Sequence, residues 1–267
     1  MEIIIRPTPA RAAMLVARLV ASRVRAKPEL VLGCATGRTM DPVYAELVAA
    51  HRSGTLDLSH ITTFNLDEYV GLPPHDERSY HHYMHTHLFE PVGLPPERTH
   101  LPAGMAHDLA AEARAYEARI AACGGIDLQL LGLGVTGHIG FNEPLSSLMS
   151  RTREKALTPE TREQNAGLFG GDASAVPKRA LTMGVGTILD AFEIVMLVTG
   201  EAKADVLAAA TEGPITARIS ATALQLHPRC IVVVDEAAAG SLEGTSYYRF
   251  LYAEEPEWGP YRDDPGL

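Results

Sequence analysis

The chain has 267 residues, of which 46% are hydrophobic and 21% are charged, as is typical of a globular protein rather than a disordered or fibrous one. A chain of this length can bury roughly three-quarters of its unfolded surface, so we expect one domain covering residues 1–267. The net charge of −10 argues against a nucleic-acid partner, because a phosphate-binding surface needs a basic footprint.

Cysteine usage and hydropathy bear on the compartment. Cys34, Cys123 and Cys230 lie far apart and form no C-x-x-C pair, which indicates free thiols in a reducing environment. The apolar run at residues 3–5 is too short for a signal peptide. No stretch approaches the roughly twenty apolar residues of a membrane span. We therefore expect a cytoplasmic protein that does not bind membranes.

Apolar runs and helical patterns alternate along the chain. The runs that predict strands lie at residues 2–6, 29–33, 61–65, 126–131, 193–199 and 230–235. The patterns that predict helices lie at residues 8–26, 41–51, 79–87, 108–123, 185–190, 203–210 and 217–226, and the signals after residue 235 are weak. This alternation predicts a single-domain, doubly wound α/β fold, Rossmann-like, whose mostly parallel sheet carries helices on both faces.

The segment of residues 150–171 is polar and flanked by glycine. We expect it to form a mobile flap with one helix near residues 159–166.

A glycine-rich loop, residues 132–144, follows the central predicted strand. Four glycines at positions 132, 134, 137 and 140 surround His138, and Glu143 stands five residues after it. Glycine lets the backbone turn sharply and approach a ligand closely, because it has no Cβ. The pattern is that of an oriented base held over a substrate.

Four predicted strands end in segments that are polar or rich in glycine: residues 36–39, 67–69, 132–143 and 200–203. In a doubly wound sheet, ligands bind at the carboxyl ends of the strands, so we expect these segments to converge on one crevice.

The turn of Thr36, Gly37, Arg38 and Thr39 lies between a strand and a helix, where backbone N–H groups favour an anion such as phosphate. The alternative is an ordinary connecting turn. Lys203 could add a positive charge from a neighbouring turn, although a lysine on a helix is usually solvated.

Two carboxylates, Asp67 and Glu68, follow the third predicted strand. They could be helix-capping or solvated groups. Asp67 is nevertheless a candidate base, because it is expected in the same layer as His138.

Histidines stand at positions 81, 82, 85 and 87, and His81 and His85 share one helix face. A zinc site needs a third protein ligand, and no H-E-x-x-H motif or cysteine partner accompanies them. We expect no metal here and interpret these histidines as stacking and surface hydrogen-bonding groups.

Several stretches together match a known family. They are F-N-L-D-E-Y-V-G-L-P at residues 64–73, Ser79-Tyr80, G-H-I-G-F-N-E-P at residues 137–144, S-R-T-R at residues 150–153, and residues 176–178 with 184–187. On these motifs the chain resembles glucosamine-6-phosphate deaminase over about residues 1–250. The related 6-phosphogluconolactonases share the fold but lack the F-N-E-P continuation.

The resemblance implies conversion of glucosamine 6-phosphate and water to fructose 6-phosphate and ammonia, with no cofactor. Asp67 would be the base that moves a proton between C2 and C1. His138 would be the ring-opening base, oriented by Glu143. The turn at residues 36–39, Lys203 and a flap arginine would hold the phosphate.

The chain departs from the family pattern at three positions. Thr136 stands where the family usually has aspartate, and it cannot stabilise an imidazolium by charge. Gly167 aligns with the flap arginine, so one phosphate ligand is missing. Arg38 stands where the family usually has glycine or serine, and its guanidinium could replace the lost ligand.

Other functions and assemblies stay open at this point. The alternatives are action on a different amino-sugar phosphate, lactone hydrolysis on the same fold, and a non-catalytic sugar-phosphate sensor. Allosteric members of the family are hexamers that bind an effector through residues matching Ser146, Arg153 and Lys155, but Ala156 replaces their threonine. A homo-oligomer is therefore possible.

Overall fold

The computed structural model describes residues 1–262 and 266–267. The predicted domain includes residues 263–265, which lie outside the described residues. The strands are β1 Glu2–Arg6, β2 Val31–Cys34, β3 Thr62–Asn65, β4 Asp67–Tyr69, β5 Thr99–His100, β6 Leu128–Gly132, β7 Arg153–Ala156, β8 Arg179–Thr182, β9 Glu193–Val198 and β10 Cys230–Asp235. The α-helices are α1 Pro9–Ala26, α2 Asp41–Arg52, α3 Tyr80–Met84, α4 Glu90–Val92, α5 Leu109–Ala122, α6 Pro159–Asn165, α7 Val185–Leu189, α8 Ala204–Thr211, α9 Thr245–Glu254 and α10 Gly259–Arg262.

Seven of these strands form one parallel sheet in the order β1-β10-β9-β6-β2-β3-β5. Every residue of β9 and β10 is buried. Because successive side chains of a strand point to opposite faces, both faces of the sheet are covered. The predicted doubly wound α/β fold with a mostly parallel sheet is confirmed.

Helix α1 shows how the sequence directs a local element. Thr8 is its N-cap and accepts a hydrogen bond from Arg11 N at 3.2 Å, and Pro9 occupies the first helical turn. Nine of its side chains are buried, on the face that packs against α2 and strand β10. Both ends of this helix agree with the prediction.

A second, three-stranded antiparallel sheet was not predicted. Its order is β4-β8-β7, and Asp67 of β4 pairs with Thr182 of β8. Asp67 is therefore the first residue of a strand in another sheet and not merely the end of β3. The predicted flap also contains β7, whose polar residues hid its strand character. The flap helix is confirmed as α6, whereas the mobility of the flap stays a prediction.

One other prediction differs from the structure, because residues 217–226 contain only a 3₁₀ helix, Ser220–Leu226. The C-terminal region, whose signals are weak, forms helix α9 and returns to the sheet: the buried Trp258 donates a hydrogen bond from Nε1 to Glu2 Oε2 at 2.8 Å. Within the described chain, none of the helices combines the length and the apolar character that crossing a membrane requires.

The order of the strands places a topological switch point between β2 and β6. From β2 the chain proceeds outward to β3 and β5, and from β6 it proceeds to β9 and β10 on the other side. In such sheets a crevice opens where the direction reverses, at the carboxyl ends of the strands. The loops after β2 and β6 therefore face each other across the expected binding crevice.

Tyr116 of α5 supports the end of β3 through a hydrogen bond. Its side chain is fully buried, and its hydroxyl donates to Asn65 O at 2.7 Å and lies 3.2 Å from His100 O. We expect Tyr116→Phe to lower the free energy of unfolding by about 1–2 kcal/mol, because a buried carbonyl loses its donor. Urea denaturation measures this. Tyr247→Phe is the control, because Tyr247 is 60% exposed, and an equal loss in both variants would contradict the assignment.

Candidate active site

Four strand ends lie side by side at the switch point, in the order β3, β2, β6 and β9. The convergence expected from the sequence is therefore present in the topology. The four segments that follow these strands carry Asp67, the turn of residues 36–39, the glycine-rich loop and Lys203.

The glycine-rich loop holds His138 against its own backbone. A methyl group at Gly134 would lie 2.2 Å from His138 Nε2, so only glycine leaves room for the imidazole. Gly134 N also donates to His138 O at 2.9 Å, and Gly137 has a positive φ of 75°. His138 is 6% exposed, which makes it a buried imidazole with a fixed orientation.

The two groups closest to His138 Nδ1 are Thr136 and Glu143. Thr136 Oγ1 lies 2.8 Å from Nδ1, within hydrogen-bonding distance, whereas Glu143 Oε2 lies 3.7 Å away. The residue that replaces the usual aspartate of the family thus keeps a hydrogen bond to the ring. Glu143 accepts a hydrogen bond from Thr158 N at 3.0 Å through Oε1, while its buried Oε2 has no hydrogen-bond partner in the part of the chain that the structure describes.

Burial and a neighbouring charge keep His138 neutral. Burial lowers the pKa of His138 to about 4, and the positive charge of Lys203 contributes to the same effect. Lys203 lies in a short 3₁₀ turn before α8, and its buried Nζ has no hydrogen-bond partner among the described residues. Burial also lowers the pKa of Lys203 to about 8. The site therefore contains an uncompensated cation beside a neutral imidazole.

Asp67 lies against the loop that carries His138. A methyl group at Gly140 would lie 3.5 Å from Asp67 Oδ2, and the next residue, Phe141, donates its backbone N–H at 3.1 Å to Oγ1 of Thr182, the residue that pairs with Asp67. Asp67 is 7% exposed. Burial and, to a lesser degree, the negative charge of Glu68 raise the pKa of Asp67 to about 8, so its carboxyl holds a proton near neutral pH.

The turn of residues 36–39 follows β2. This strand pairs with β3, which immediately precedes the segment that carries Asp67. Gly37 has a φ of 105°, which glycine adopts without strain, and α2 begins two residues after the turn, at Asp41. Thr36 and Thr39 are half-buried, whereas Arg38 is exposed. Tyr83 supports the turn from α3, because its hydroxyl lies 2.6 Å from Asp41 Oδ1 and 3.2 Å from Gly37 O.

A cavity of about 300 Å³ lies between α3 and the end of the flap. Leu168, next to Gly167, lines it on one side, and Tyr83 with His82 and His87 lines the other. Gly167, which stands where the resemblance places the flap arginine, therefore borders open space beside α3, the helix that supports the turn of residues 36–39.

Sequence reasoning gave no catalytic role to two residues that fix the loop. Asn142 is fully buried and donates from Nδ2 to Ile139 O and Met183 O, both at 2.9 Å. Its Oδ1 accepts a hydrogen bond from Arg153 Nη1 at 2.9 Å, while the buried Nη2 of Arg153 has no hydrogen-bond partner among the described residues. Asn142 could have been found in the F-N-E-P motif. Arg153 was noted only as a match to effector-binding residues, because nothing predicted the strand β7 that brings it to Asn142.

The described residues contain no cluster of three or more His, Cys, Asp or Glu side chains with the geometry to hold a metal ion. The helical histidines have other contacts: His81 Nδ1 lies 3.3 Å from Glu68 Oε2, and His87 stacks on Tyr83 with ring centroids 4.4 Å apart.

Comparison with known proteins gives consistent matches. A family model described as glucosamine-6-phosphate isomerases/6-phosphogluconolactonase matches residues 8–232. A glucosamine-6-phosphate deaminase from Streptomyces coelicolor is 48% identical over 258 residues, which cover 97% of this chain and 99% of the relative. The deaminase from Shewanella loihica is 47% identical over 254 residues, which cover 95% of this chain and 94% of the relative.

Solved structures give the same result. A structure described as a monomeric glucosamine-6-phosphate deaminase has a TM-score of 0.88 at 41% identity and covers 90% of this chain and 100% of its own. A 6-phosphogluconolactonase from Trypanosoma cruzi has a TM-score of 0.74 at 20% identity and covers 91% of this chain and 97% of its own. The second likeness shows the fold alone.

The charge of Lys203 acts on His138, and this can be measured directly. We expect Lys203→Met to raise the pKa of His138, because a positive charge that opposes the imidazolium is removed. NMR titration of the imidazole of the unliganded protein measures the shift. Lys178→Met, which removes a charge from an exposed position, should leave the titration unchanged, and an equal response in both variants would refute the contact.

Proposed function

This chain belongs to the family of glucosamine-6-phosphate isomerases and 6-phosphogluconolactonases, and we propose that it catalyses the deamination of glucosamine 6-phosphate. The reaction consumes water and gives fructose 6-phosphate and ammonia. The observation that carries the proposal is the placement of a buried carboxyl, Asp67, against the same loop that holds a neutral imidazole, His138.

Ring opening of the sugar needs a base at the anomeric hydroxyl. His138 suits this role because its imidazole is neutral and fixed, with Nδ1 engaged by Thr136 at 2.8 Å. With Nδ1 donating to Thr136, Nε2 is left as the acceptor. The proton taken from the hydroxyl at C1 then passes to the ring oxygen as the ring bond breaks.

Isomerisation moves a proton from C2 to C1. Asp67 must be ionised to take the proton from C2, although its burial favours the protonated form. The ammonium group that an amino sugar carries at C2 would oppose this effect, because an opposite charge nearby favours the carboxylate. The substrate thus activates its own base. As the C2–H bond breaks, a proton of the ammonium group passes to O1, which gives an enolamine. The same carboxyl then returns its proton to C1 and leaves an iminium group at C2, which water hydrolyses to the ketone and ammonia with release of a proton.

We place the phosphate at the turn of residues 36–39. Backbone N–H groups of a turn before a helix bind anions, and after β9, two strands away from β2, Lys203 presents a buried cation without a hydrogen-bond partner among the described residues. Arg38 is exposed on the same turn and free to reach a phosphate with two parallel hydrogen bonds. Together these groups compensate a dianionic phosphate without the flap arginine.

The deaminase reaction is favoured over the alternatives. The deaminases match at up to 48% identity over nearly the whole chain, whereas the lactonase structure matches at 20%. A sensor would need only the phosphate site, whereas this chain also holds Asp67, His138 and Glu143 in one buried site.

The cellular setting belongs to the same proposal. Cytoplasmic location is supported by three free cysteines, of which Cys34 and Cys230 are buried and Cys123 is exposed. A homo-oligomer stays a prediction for this chain, and the relative at 41% identity is described as monomeric. Sedimentation analysis distinguishes the two states.

An ammonia-release assay tests the proposed function. The panel contains glucosamine 6-phosphate, galactosamine 6-phosphate and unphosphorylated glucosamine, with 6-phosphogluconolactone hydrolysis measured separately. The proposal requires the highest kcat/KM for glucosamine 6-phosphate. Faster turnover of galactosamine 6-phosphate or hydrolysis of the lactone would replace it with the corresponding alternative.

The pH profile of turnover tests the role of Thr136. We expect Thr136→Asp to raise the pKa of His138, because a carboxylate next to Nδ1 stabilises the imidazolium. Since His138 must be neutral to act as a base, and the bound ammonium group keeps Asp67 ionised, the acid limb of kcat should move to higher pH. Thr136→Ser keeps the hydroxyl and serves as the control. An unchanged profile in Thr136→Asp would show that Thr136 does not act on His138.

The Michaelis constant tests the role of Arg38. We expect Arg38→Ser to raise KM for glucosamine 6-phosphate roughly tenfold or more, with kcat nearly unchanged, since a charge-assisted hydrogen bond contributes about 1.5–3 kcal/mol. Arg52→Ser removes an exposed arginine at the end of α2 and is the control. A KM that rises no more in Arg38→Ser than in Arg52→Ser would remove Arg38 from the phosphate site.

A further inference from the structure

Glu68 is a buried carboxylate that the reaction steps do not use. It is 1% exposed and directly follows Asp67 in strand β4. Successive residues of a strand face opposite sides, and here Asp67 faces the loop of His138 whereas Glu68 faces α3. The two carboxyl groups are thus held on opposite faces of one short strand.

Both oxygens of Glu68 are occupied by hydrogen bonds from the backbone. Oε1 accepts from Tyr69 N at 2.8 Å and from Tyr80 N at 3.1 Å. Oε2 accepts from His81 N at 2.9 Å and lies 3.3 Å from His81 Nδ1. These hydrogen bonds fix the position of the Glu68 carboxylate and join β4 to the beginning of α3.

The helix that Glu68 caps also reaches the phosphate turn. Tyr83 lies one turn after the cap, and its hydroxyl contacts Asp41 Oδ1 and Gly37 O. The base, the cap and the turn are thereby connected through one short helix.

Few other ionisable groups act on Asp67. The hydroxyls of Tyr69, Tyr80 and Tyr116 interact with it from β4, α3 and α5, and burial raises the pKa of each, so they stay neutral. The glycine-rich loop contributes the Phe141 amide, and strand β8 contributes Thr182, which does not titrate. Glu68 is thus the charged neighbour that acts on the base.

We propose that Glu68 is the positioning residue of the base: its carboxylate fastens the strand that carries Asp67 to α3 and holds a second negative charge next to Asp67. The inference rests on the proposed function in so far as Asp67 is the base. Its effect is to keep Asp67 protonated until a cationic substrate enters, which confines the active carboxylate to complexes with an amino sugar.

The experiment follows the ¹³C resonance of the Asp67 side-chain carboxyl against pH in the protein without substrate. We expect Glu68→Gln to move this titration to lower pH by roughly one unit, because the neighbouring charge is removed. The acid limb of kcat/KM for glucosamine 6-phosphate should move in the same direction. Glu68→Asp, which keeps the charge, should move either quantity less.

The variant Ser79→Ala distinguishes this proposal from the alternative that Glu68 only caps the helix. Ser79 caps the same helix, since its Oγ accepts from His82 N at 3.0 Å, but it carries no charge. That variant should lower the thermal midpoint and leave the Asp67 titration in place. An Asp67 titration that is unchanged in Glu68→Gln, or moved equally by Ser79→Ala, overturns the proposal.

A second variant covers the case in which Glu68→Gln does not fold. His81 is partly exposed, so His81→Lys should fold and place a permanent cation beside Glu68 Oε2. We expect the Asp67 titration to move to lower pH by a smaller amount, and no movement would count against the proposal. Because the titration needs no substrate, the absence of ammonia release would reject the proposed function without deciding the role of Glu68.

Discussion

The exclusion of water from ionisable groups at the switch point is the constraint on which the site depends. His138, Asp67 and Glu143 are each less than a tenth exposed. Burial disfavours the charged form of any group, so it leaves the imidazole neutral and the Asp67 carboxyl protonated. In water an aspartate is ionised at neutral pH, whereas an imidazole is charged only below a pH of about 6.5. The fold therefore raises the pKa of the carboxyl and lowers that of the imidazole.

The same exclusion of water leaves buried polar atoms of the site, among the described residues, without hydrogen-bond partners. Among the described residues, buried atoms without a hydrogen-bond partner include Lys203 Nζ, Glu143 Oε2 and Arg153 Nη2. Such groups are costly in a folded protein unless a ligand satisfies them. A substrate that carries an anion at one end and a cation near the reacting carbons would compensate both signs of charge. The chemical class of substrate thus follows from the groups left without partners as well as from the family.

The parallel sheet and the glycine-rich loop could be predicted from the sequence because each is marked by a pattern of neighbouring residues. Buried strands appear as apolar runs, and the loop appears as closely spaced glycines around His138. The three-stranded antiparallel sheet could not be predicted, because β7 is polar and β4 is only three residues long. Asp67 could therefore be chosen as a candidate from the sequence, but the strand that positions it was missed. The partner of His138 Nδ1 also depends on distances, which spacing along the chain does not give.

The flap contacts the loop that holds His138 through side-chain hydrogen bonds, in addition to its covalent connection along the backbone. Glu143 Oε1 accepts from Thr158 N, the residue that caps α6, and Gln164 Oε1 of the same helix accepts from Val135 N at 3.1 Å. Both contacts join α6 to the loop that holds His138. A displacement of α6 would therefore remove a hydrogen bond from Glu143 and loosen the backbone next to Thr136. A change in the position of α6 would therefore be transmitted to the His138 imidazole through these two hydrogen bonds.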